Sequence, residues 1–161
     1  MRIAPTLTSR AAAALLAFGL AFGTAGGTWA MGSDSSTSSA SDSSYATGEE
    51  LIAQGDYAAA IEELGVALEE SPQNADVLNY LGYAHRKLGN YGEAEDYYLR
   101  ALEIEPEHKG ANEYLGELYL ETGRPELAEE RLEVLDGACF FGCEEYDALK
   151  QAIEAHKAAQ G

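Results

Sequence analysis

The sequence predicts an all-α fold of about three stacked helix pairs followed by one capping helix. Three tripeptides recur at a step of 34 residues: Gly55-Asp56-Tyr57, Gly89-Asn90-Tyr91 and Gly123-Arg124-Pro125. Small and bulky apolar residues repeat in the same register around them, and the segment after the third unit has a helical apolar period. A constant period of this length indicates stacked two-helix units, each of which buries its apolar face only against its neighbours.

The repeats are preceded by a segment, residues 1–30, that has the features of a secretory signal peptide. Arg2 and Arg10 supply positive charge, and the apolar run over residues 11–25 is too short to span a bilayer comfortably. Thr28-Trp29-Ala30 places small residues where a signal peptidase would cut. We therefore expect export, with no membrane span after cleavage; an uncleaved membrane anchor is the alternative.

Residues 31–44 form a serine-dominated segment in which Asp34 and Asp42 are the only charges. The segment has no apolar period and too little apolar surface to offset the entropy that is lost on folding. We expect a disordered tether here, followed by one repeat domain over residues 45–136.

Each helix pair is predicted from columns of residues that share a repeat position. A glycine column and an alanine column let the two helices of a pair approach closely, and a bulky apolar column is expected to fill the space between neighbouring pairs. These columns are Gly48, Gly82 and Gly116; Ala60, Ala94 and Ala128; and Leu64, Tyr98 and Leu132. The glycine before each second helix can adopt the left-handed conformation that ends a helix. Asn90 and Glu93 have the spacing of a reciprocal N-terminal cap.

Two further segments follow the repeats: a cysteine-containing loop over residues 137–143 and an amphipathic helix over residues 144–160. Phe140 and Phe141 in the loop are either core residues or an exposed docking tip. The helix is expected to cap the repeats, because a terminal unit needs a polar outer side. Its apolar face consists of Tyr146, Leu149, Ala152 and Ile153.

Cys139 and Cys143 are the only cysteines of the chain. In an oxidising compartment two cysteines at this spacing can pair if the loop folds back, so a structural disulfide is the first interpretation. A thiol-redox pair or a metal site is the alternative. Metal binding would need further ligands, and His85, His108 and His156 are scattered without a paired spacing to the cysteines.

The 34-residue spacing and the residue columns resemble the tetratricopeptide repeat family over about Ser41 to Asp136. The middle unit, Ala75 to His108, matches the family pattern best. The first unit departs from it, because Ser44 and Thr47 stand where larger apolar residues are usual. The resemblance implies a right-handed superhelix of about seven helices.

The resemblance also implies a concave face, lined by the first helix of each pair, that binds extended peptides or helices of a partner protein. The residues at these positions are Tyr45, Glu49 and Ile52 in the first unit, Asn79, Tyr83, Arg86 and Lys87 in the second, and Glu113, Glu117, Leu120 and Glu121 in the third.

One subgroup of the family grips the carboxylate end of chaperone tails with a clamp of Lys, Asn and Arg. At the matching positions this chain has Tyr45, Glu49, Tyr83, Glu113 and Glu117. Carboxylates replace two of the expected cations, so we do not expect this activity. The glutamates, with Tyr45 and Tyr83 as apolar platforms, favour a basic or amphipathic segment as the ligand. The alternative is that these glutamates only solvate a helix face.

The charge of the chain is strongly acidic, with a formal net charge of -18 at pH 7. Loss of Arg2 and Arg10 with the signal peptide would bring it to about -20. Such a field repels nucleic acid and anionic lipid head groups and favours a basic partner. Solubility of an exported protein explains the same charge equally well.

The functional expectation is a protein-binding adaptor in the periplasm of a Gram-negative bacterium. The sequence contains no Ser-His-Asp arrangement, phosphate-binding glycine loop or calcium loop, so we expect neither enzymatic activity nor a cofactor. Two alternatives stay open: a thiol-redox or metal-handling accessory protein centred on Cys139 and Cys143, and a structural module that assembles with itself.

Overall fold

The computed structural model describes residues 40–160 of the chain, and these residues form seven α-helices and no β-strand. The helices are α1 (Ala40–Gln54), α2 (Tyr57–Glu70), α3 (Ala75–Lys87), α4 (Tyr91–Ile104), α5 (Lys109–Glu121), α6 (Pro125–Ala138) and α7 (Glu144–Gln160). Consecutive helices pack as three pairs, and α2 contacts α3 as α4 contacts α5. The predicted all-α repeat fold is thereby confirmed, whereas the expected signal peptide lies outside the described residues.

Helix α1 begins at Ala40, inside the segment that we expected to be a disordered tether. Asp42 lies in its first turn, where a carboxylate interacts favourably with the helix dipole. The Thr47 hydroxyl donates a hydrogen bond to the carbonyl of Ser43 at 2.9 Å. The predicted end of the tether at residue 44 is therefore wrong, because residues 40–44 belong to α1. Residues 31–39 lie outside the described part of the chain.

The turn within each helix pair contains a glycine with a positive φ. This angle is 79° at Gly55, 80° at Gly89 and 73° at Gly123, as the repeat pattern predicted, because glycine alone adopts this conformation without a steric cost. After Gly89, the Asn90 amide donates to the His85 carbonyl at 2.9 Å and closes the turn.

The expected side-chain cap of α4 by Asn90 is wrong. The side chain of Asn90 makes no hydrogen bond to the first amides of α4, and its Nδ2 lies 3.4 Å from His85 Nδ1. The equivalent residue of the first pair, Asp56, does cap its helix by accepting from the amide of Ala59 at 3.2 Å.

Two glycines of the predicted column lie where the helices of a pair come closest together. A Cβ atom added at Gly48 would lie 2.6 Å from the Leu64 side chain, and one added at Gly82 would lie 2.6 Å from the Tyr98 ring. The first helix of each of these pairs therefore receives a large side chain from its own second helix. Leu64 and Tyr98 are fully buried as a result.

The third pair differs, because the nearest side chain to Gly116 is Leu149 of α7 rather than Leu132 of α6. A Cβ atom added at Gly116 would lie 2.6 Å from Leu149. Leu149 is fully buried and Ile153 of the same helix is 4 % exposed, so α7 is part of the core. The capping helix consequently contacts α5 as well as α6.

The core of the described residues consists of two apolar clusters. The smaller cluster joins α2 to α3 through Leu64, Val77 and Leu81. The larger cluster extends from α3 to α7 and includes Tyr98 and Leu115. None of the helices between residues 40 and 160 is both long and apolar enough to cross a membrane.

We predict that Gly82→Leu lowers the free energy of unfolding by about 3 kcal/mol, the upper part of the usual range for overpacking, because the new side chain meets the buried Tyr98 ring. Gly65→Ala in α2 is the matched control, since no atom lies within 4 Å of its added Cβ. That control should instead stabilise the helix by about 0.5 to 1 kcal/mol. Urea unfolding measures both, and equal effects would show that the helices at Gly82 are not in close contact.

Candidate functional site

The first helices of the three pairs lie side by side, with α1 against α3 and α3 against α5. The predicted partner-binding residues all belong to these three helices. Residues that share a repeat position therefore form rows across them. One row consists of Tyr45, Asn79 and Glu113, and the next consists of Glu49, Tyr83 and Glu117.

Arg86 is at the centre of this face but is almost fully buried, with 5 % of its surface exposed. Its Nη2 lies 2.6 Å from Glu117 Oε2 and its Nη1 donates to Glu121 Oε1 at 2.8 Å, so the guanidinium joins α3 to α5. Burial acts to lower the pKa of Arg86, but Tyr98 and the two glutamates outweigh it, and the pKa is raised overall.

This ion-pair cluster corrects the expectation that Arg86, Glu117 and Glu121 present free charges to a partner. Their charges largely neutralise one another, although the side chains of Glu117 and Glu121 are partly exposed. The cluster leaves a net charge of about -1, since two carboxylates surround one guanidinium. The electrostatic character of the face must therefore come from other residues.

Two more of the predicted contact residues are also buried. Asn79 is 6 % exposed and Leu120 is 9 % exposed. Asn79 packs against α5, since a Cβ atom added at Gly110 would lie 3.0 Å from its Nδ2. Asn79 thus helps to join α3 to α5, and neither side chain offers much surface to a ligand.

A group of tyrosines covers the exposed part of the face. The ring centroids of Tyr83 and Tyr114 are 4.9 Å apart, and those of Tyr45 and Tyr80 are 5.9 Å apart. Tyr57 of α2 extends the group, 6.1 Å from Tyr83. All five rings are partly exposed. Aromatic side chains with a polar hydroxyl are well suited to contact a partner, because they supply a large apolar area with few rotatable bonds.

Sequence reasoning missed Tyr80 and Tyr114. The two stand 34 residues apart and so share one repeat position, which is the signal that could have found them. The predicted contact residue Lys87 is exposed beside this group, with its Nζ 5.0 Å from the centre of the Tyr83 ring. Tyr45 also donates a hydrogen bond to Glu49 at 3.2 Å, which orients both predicted side chains.

Glu113 is a further carboxylate on this face, outside the Arg86 cluster. It is half-buried, and no hydrogen bond or ion pair to it is seen among residues 40–160. Burial, which is the largest cause, and the neighbouring Glu117, Glu145 and Glu144 together raise the pKa of Glu113 to about 7, against the opposing effect of Arg86. Glu113 therefore holds a proton part of the time at neutral pH.

Helix α7 contributes to the same face. Its first residues, Glu144 and Glu145, lie near enough to Glu113 to raise the pKa of that carboxyl. Further along, Ala152 borders a depression that Arg86, Lys87, Glu117, Leu120 and Glu121 also line. The capping helix thus forms one edge of the candidate groove, which we define as the face of α1, α3 and α5 together with this edge of α7.

A larger surface depression lies elsewhere, at residues 71–76 and Glu105. A similar depression occurs at residues 104–108, at the next boundary between units. Because both are open and occur at equivalent places in the repeat, they are features of the turns between units rather than a specific site.

Cys139 and Cys143 form a disulfide, with their Cα atoms 5.5 Å apart. The histidines have structural contacts of their own. His108 accepts from the Ala111 amide and contacts Asp76, while the His85 ring stacks on Tyr97. No cluster of three or more metal-ligating side chains occurs in the part of the chain that the structure describes.

Comparison with known families decides the classification. Two sequence profiles, both described as tetratricopeptide repeat, match residues 45–108 and residues 86–153. Together they span most of the chain. The chain belongs to the tetratricopeptide repeat family. Comparison with the curated proteins finds no significant match.

Solved tetratricopeptide repeat structures resemble this one. The repeat domain of Sgt2 from Aspergillus fumigatus has a TM-score of 0.67 at 25 % identity, over 75 % of this chain and 82 % of that one. The secretion translocator chaperone SycD of Yersinia enterocolitica has a TM-score of 0.68 at 16 % identity, over 79 % and 98 %. A domain of yeast Sti1, solved as a complex with pHsp70, has a TM-score of 0.68 at 17 % identity, over 74 % and 98 %.

The buried ion-pair cluster leads to a prediction for stability. Arg86→Ala should lower the free energy of unfolding by about 3 kcal/mol, the low end for breaking a buried ion pair, because the two glutamates are partly exposed and can be hydrated. Arg100→Ala is the control, since Arg100 is exposed above Tyr97 and should cost at most about 1 kcal/mol. Equal losses in urea unfolding would contradict a bridge between α3 and α5.

A second prediction concerns pH. Because the folded protein raises the pKa of Glu113 from its ordinary value of 4.5 to about 7, the protonated form favours folding, and this contribution is lost as the pH rises from about 4.5 through 7. Glu113→Gln should therefore leave the Tm unchanged near pH 4 and raise it at pH 8. Glu62→Gln, at an exposed position on α2, is the control. A Tm difference that did not vary with pH would rule out the coupling.

Proposed function

We propose that this protein is a non-catalytic adaptor whose candidate groove binds a peptide or helix of a partner protein. The observation that carries the proposal is the pairing of a partly exposed tyrosine platform with a half-buried carboxylate that makes no ion pair within residues 40–160. The rings of Tyr83 and Tyr114 are tilted against each other with centroids 4.9 Å apart, and Glu113 is the residue before Tyr114 on α5. Such a surface offers both apolar area and a charge to a ligand.

Structural relatives support a role in binding peptides. The first repeat domain of the protein Spaghetti (RPAP3) was solved with the HSP90 peptide SRMEEVD, and SycD was solved with a peptide of the translocator YopD. Both share less than 25 % identity with this chain, so they demonstrate a common fold and leave the ligand open. From these relatives we take only the mode of binding, in which a peptide lies on the surface of the repeats.

The charge of the groove favours a basic or amphipathic segment as the ligand. Glu113, Glu144 and Glu145 lie close together, while Arg86 is neutralised by its own carboxylates. A lysine or arginine of a ligand that reached Glu113 would favour the ionised carboxylate and relieve the repulsion there. The tyrosines would contact the apolar side of the same segment.

We further propose that the protein acts after export, in the periplasm. The support is the signal-like segment over residues 1–30 and the disulfide between Cys139 and Cys143, since disulfides persist in oxidising compartments. The disulfide is proposed to be structural, because Cys139 is buried in the core and offers little access to a reducing partner.

A pair of designed peptides tests the groove. A helical peptide of leucine and lysine should bind the protein more weakly as salt is added, and its leucine and glutamate counterpart should not bind. Glu113→Gln should weaken binding of the lysine peptide about fivefold, the effect of losing a partly exposed ion pair. Tyr83→Ala should weaken it about tenfold or more, as expected for an aromatic hot spot. Fluorescence anisotropy measures all of these affinities.

Matched controls remove the same groups from another surface. Glu62→Gln removes an exposed carboxylate from α2, and Tyr91→Ala removes an exposed ring from α4. Circular dichroism checks that each variant is folded. Equal binding of both peptides, or equal losses in the groove and control variants, would refute the proposed site.

A further inference from the structure

Phe140 and Phe141 point into solvent at the tip of the loop between α6 and α7. They are 86 % and 96 % exposed, and no other large apolar side chain within residues 42–160 is more than 47 % exposed. Their rings meet edge to face, with centroids 5.0 Å apart and an angle of 87° between the planes. The two rings therefore form one contiguous apolar tip that is exposed to water.

The loop holds this tip in one orientation. Cys139 is 8 % exposed and packs in the core, and the partly buried Cys143 packs against the same cluster. The disulfide joins these two anchors, and the amide of Gly142 donates to the Cys139 carbonyl at 2.8 Å. With both ends anchored in the core and close together, the residues between them can only project outwards.

The exposure of two phenylalanine rings to water is unfavourable in the isolated protein, and their burial in a complex would be favourable. A loop without a binding role would ordinarily carry polar residues at its most exposed positions. A tip that is already ordered loses little conformational entropy when it is bound, so its apolar area contributes fully to affinity. Aromatic side chains that enter a pocket of a partner are the commonest binding hot spots.

The surrounding charge identifies the kind of partner. Between Leu132 and Leu149 the sequence has five acidic residues and no basic one: Glu133, Asp136, Glu144, Glu145 and Asp147. An anionic lipid surface would be repelled by this charge. A second copy of the same chain would be repelled as well, since its net charge is -18. A pocket rimmed by lysine or arginine would be attracted.

We propose that the Phe140–Phe141 tip is a second docking site, separate from the candidate groove, which inserts into an apolar pocket with a cationic rim on a different protein. The proposal does not depend on the function of the groove. A protein with both sites would contact its partners at two places.

The chemistry of the site is tested first with cyclodextrins, which are small apolar cavities whose rims can carry chosen charges. We expect a β-cyclodextrin with amines on its rim to bind the full chain more tightly than the neutral form. The carboxymethylated form should bind more weakly than the neutral form. NMR chemical shifts should place all three on Phe140 and Phe141. Equal affinity for the three cyclodextrins would contradict the proposed cationic rim. Binding away from the loop would contradict the proposed docking site.

The occupant is tested by placing a photoreactive benzoyl-phenylalanine at position 141 in the native cells, with the same group at Leu99 on α4 as the control. Leu99 is also exposed, at 41 %. The expected product is a cross-link to a different protein that the control position does not give. Cross-links to lipid, to a second copy of this chain, or identical products from both positions would overturn the proposal.

The cross-linked protein is then purified and its affinity measured. Phe140→Ser/Phe141→Ser should weaken binding about thirtyfold or more, as expected for a hot spot, and added salt should weaken it further. Val66→Ser/Leu99→Ser, at exposed positions on the second helices, should have no effect. Glu113→Gln is measured beside them, because it alters the candidate groove and keeps both phenylalanines. A loss in Glu113→Gln but not in the phenylalanine variant would assign the partner to the groove and overturn the tip.

Discussion

The architecture depends on the close approach of helices at one glycine position of the repeat. Gly48 and Gly82 admit Leu64 and Tyr98 to distances that a Cβ atom would forbid. Because the second helix can lie this close to the first, the bulky side chain is fully buried and the pair behaves as one rigid unit. The second helix of each pair packs on the first helix of the next, α2 on α3 and α4 on α5, and this stacking brings residues from three separate units onto one face.

The electrostatics of that face follow from the same packing. Once α3 and α5 are neighbours, Arg86 is enclosed and takes Glu117 and Glu121 as its partners. The charge of this buried guanidinium is offset by two carboxylates, so it contributes little to the surface potential. Glu113, on the same helix, has no cation of its own and becomes the group whose proton affinity the environment alters most among the carboxylates of residues 42–160.

The sequence was sufficient to predict the repeat and most of the fold, because the glycine and alanine columns mark the places where the helices approach closely. It was insufficient for the site. Arg86 takes one of its partners, Glu121, from 35 residues away, which no local pattern reveals. The choice of Leu149 over Leu132 as the neighbour of Gly116 depends on how α7 approaches the core. Tyr80 and Tyr114 were recoverable in principle, because a comparison of every repeat column would have paired them.

The contact between Gly116 and Leu149 also determines how this molecule can grow. In the first two pairs the glycine faces its own second helix, and the following unit is added beside it. In the third pair that place is taken by α7, so the array is closed at its carboxyl end. Gene duplication or protein engineering could lengthen the array by inserting a unit ahead of α5, where the junctions are repeatable. An insertion between α5 and α7 would first have to separate Leu149 from Gly116, and this would expose the apolar core at the carboxyl end of the array to water.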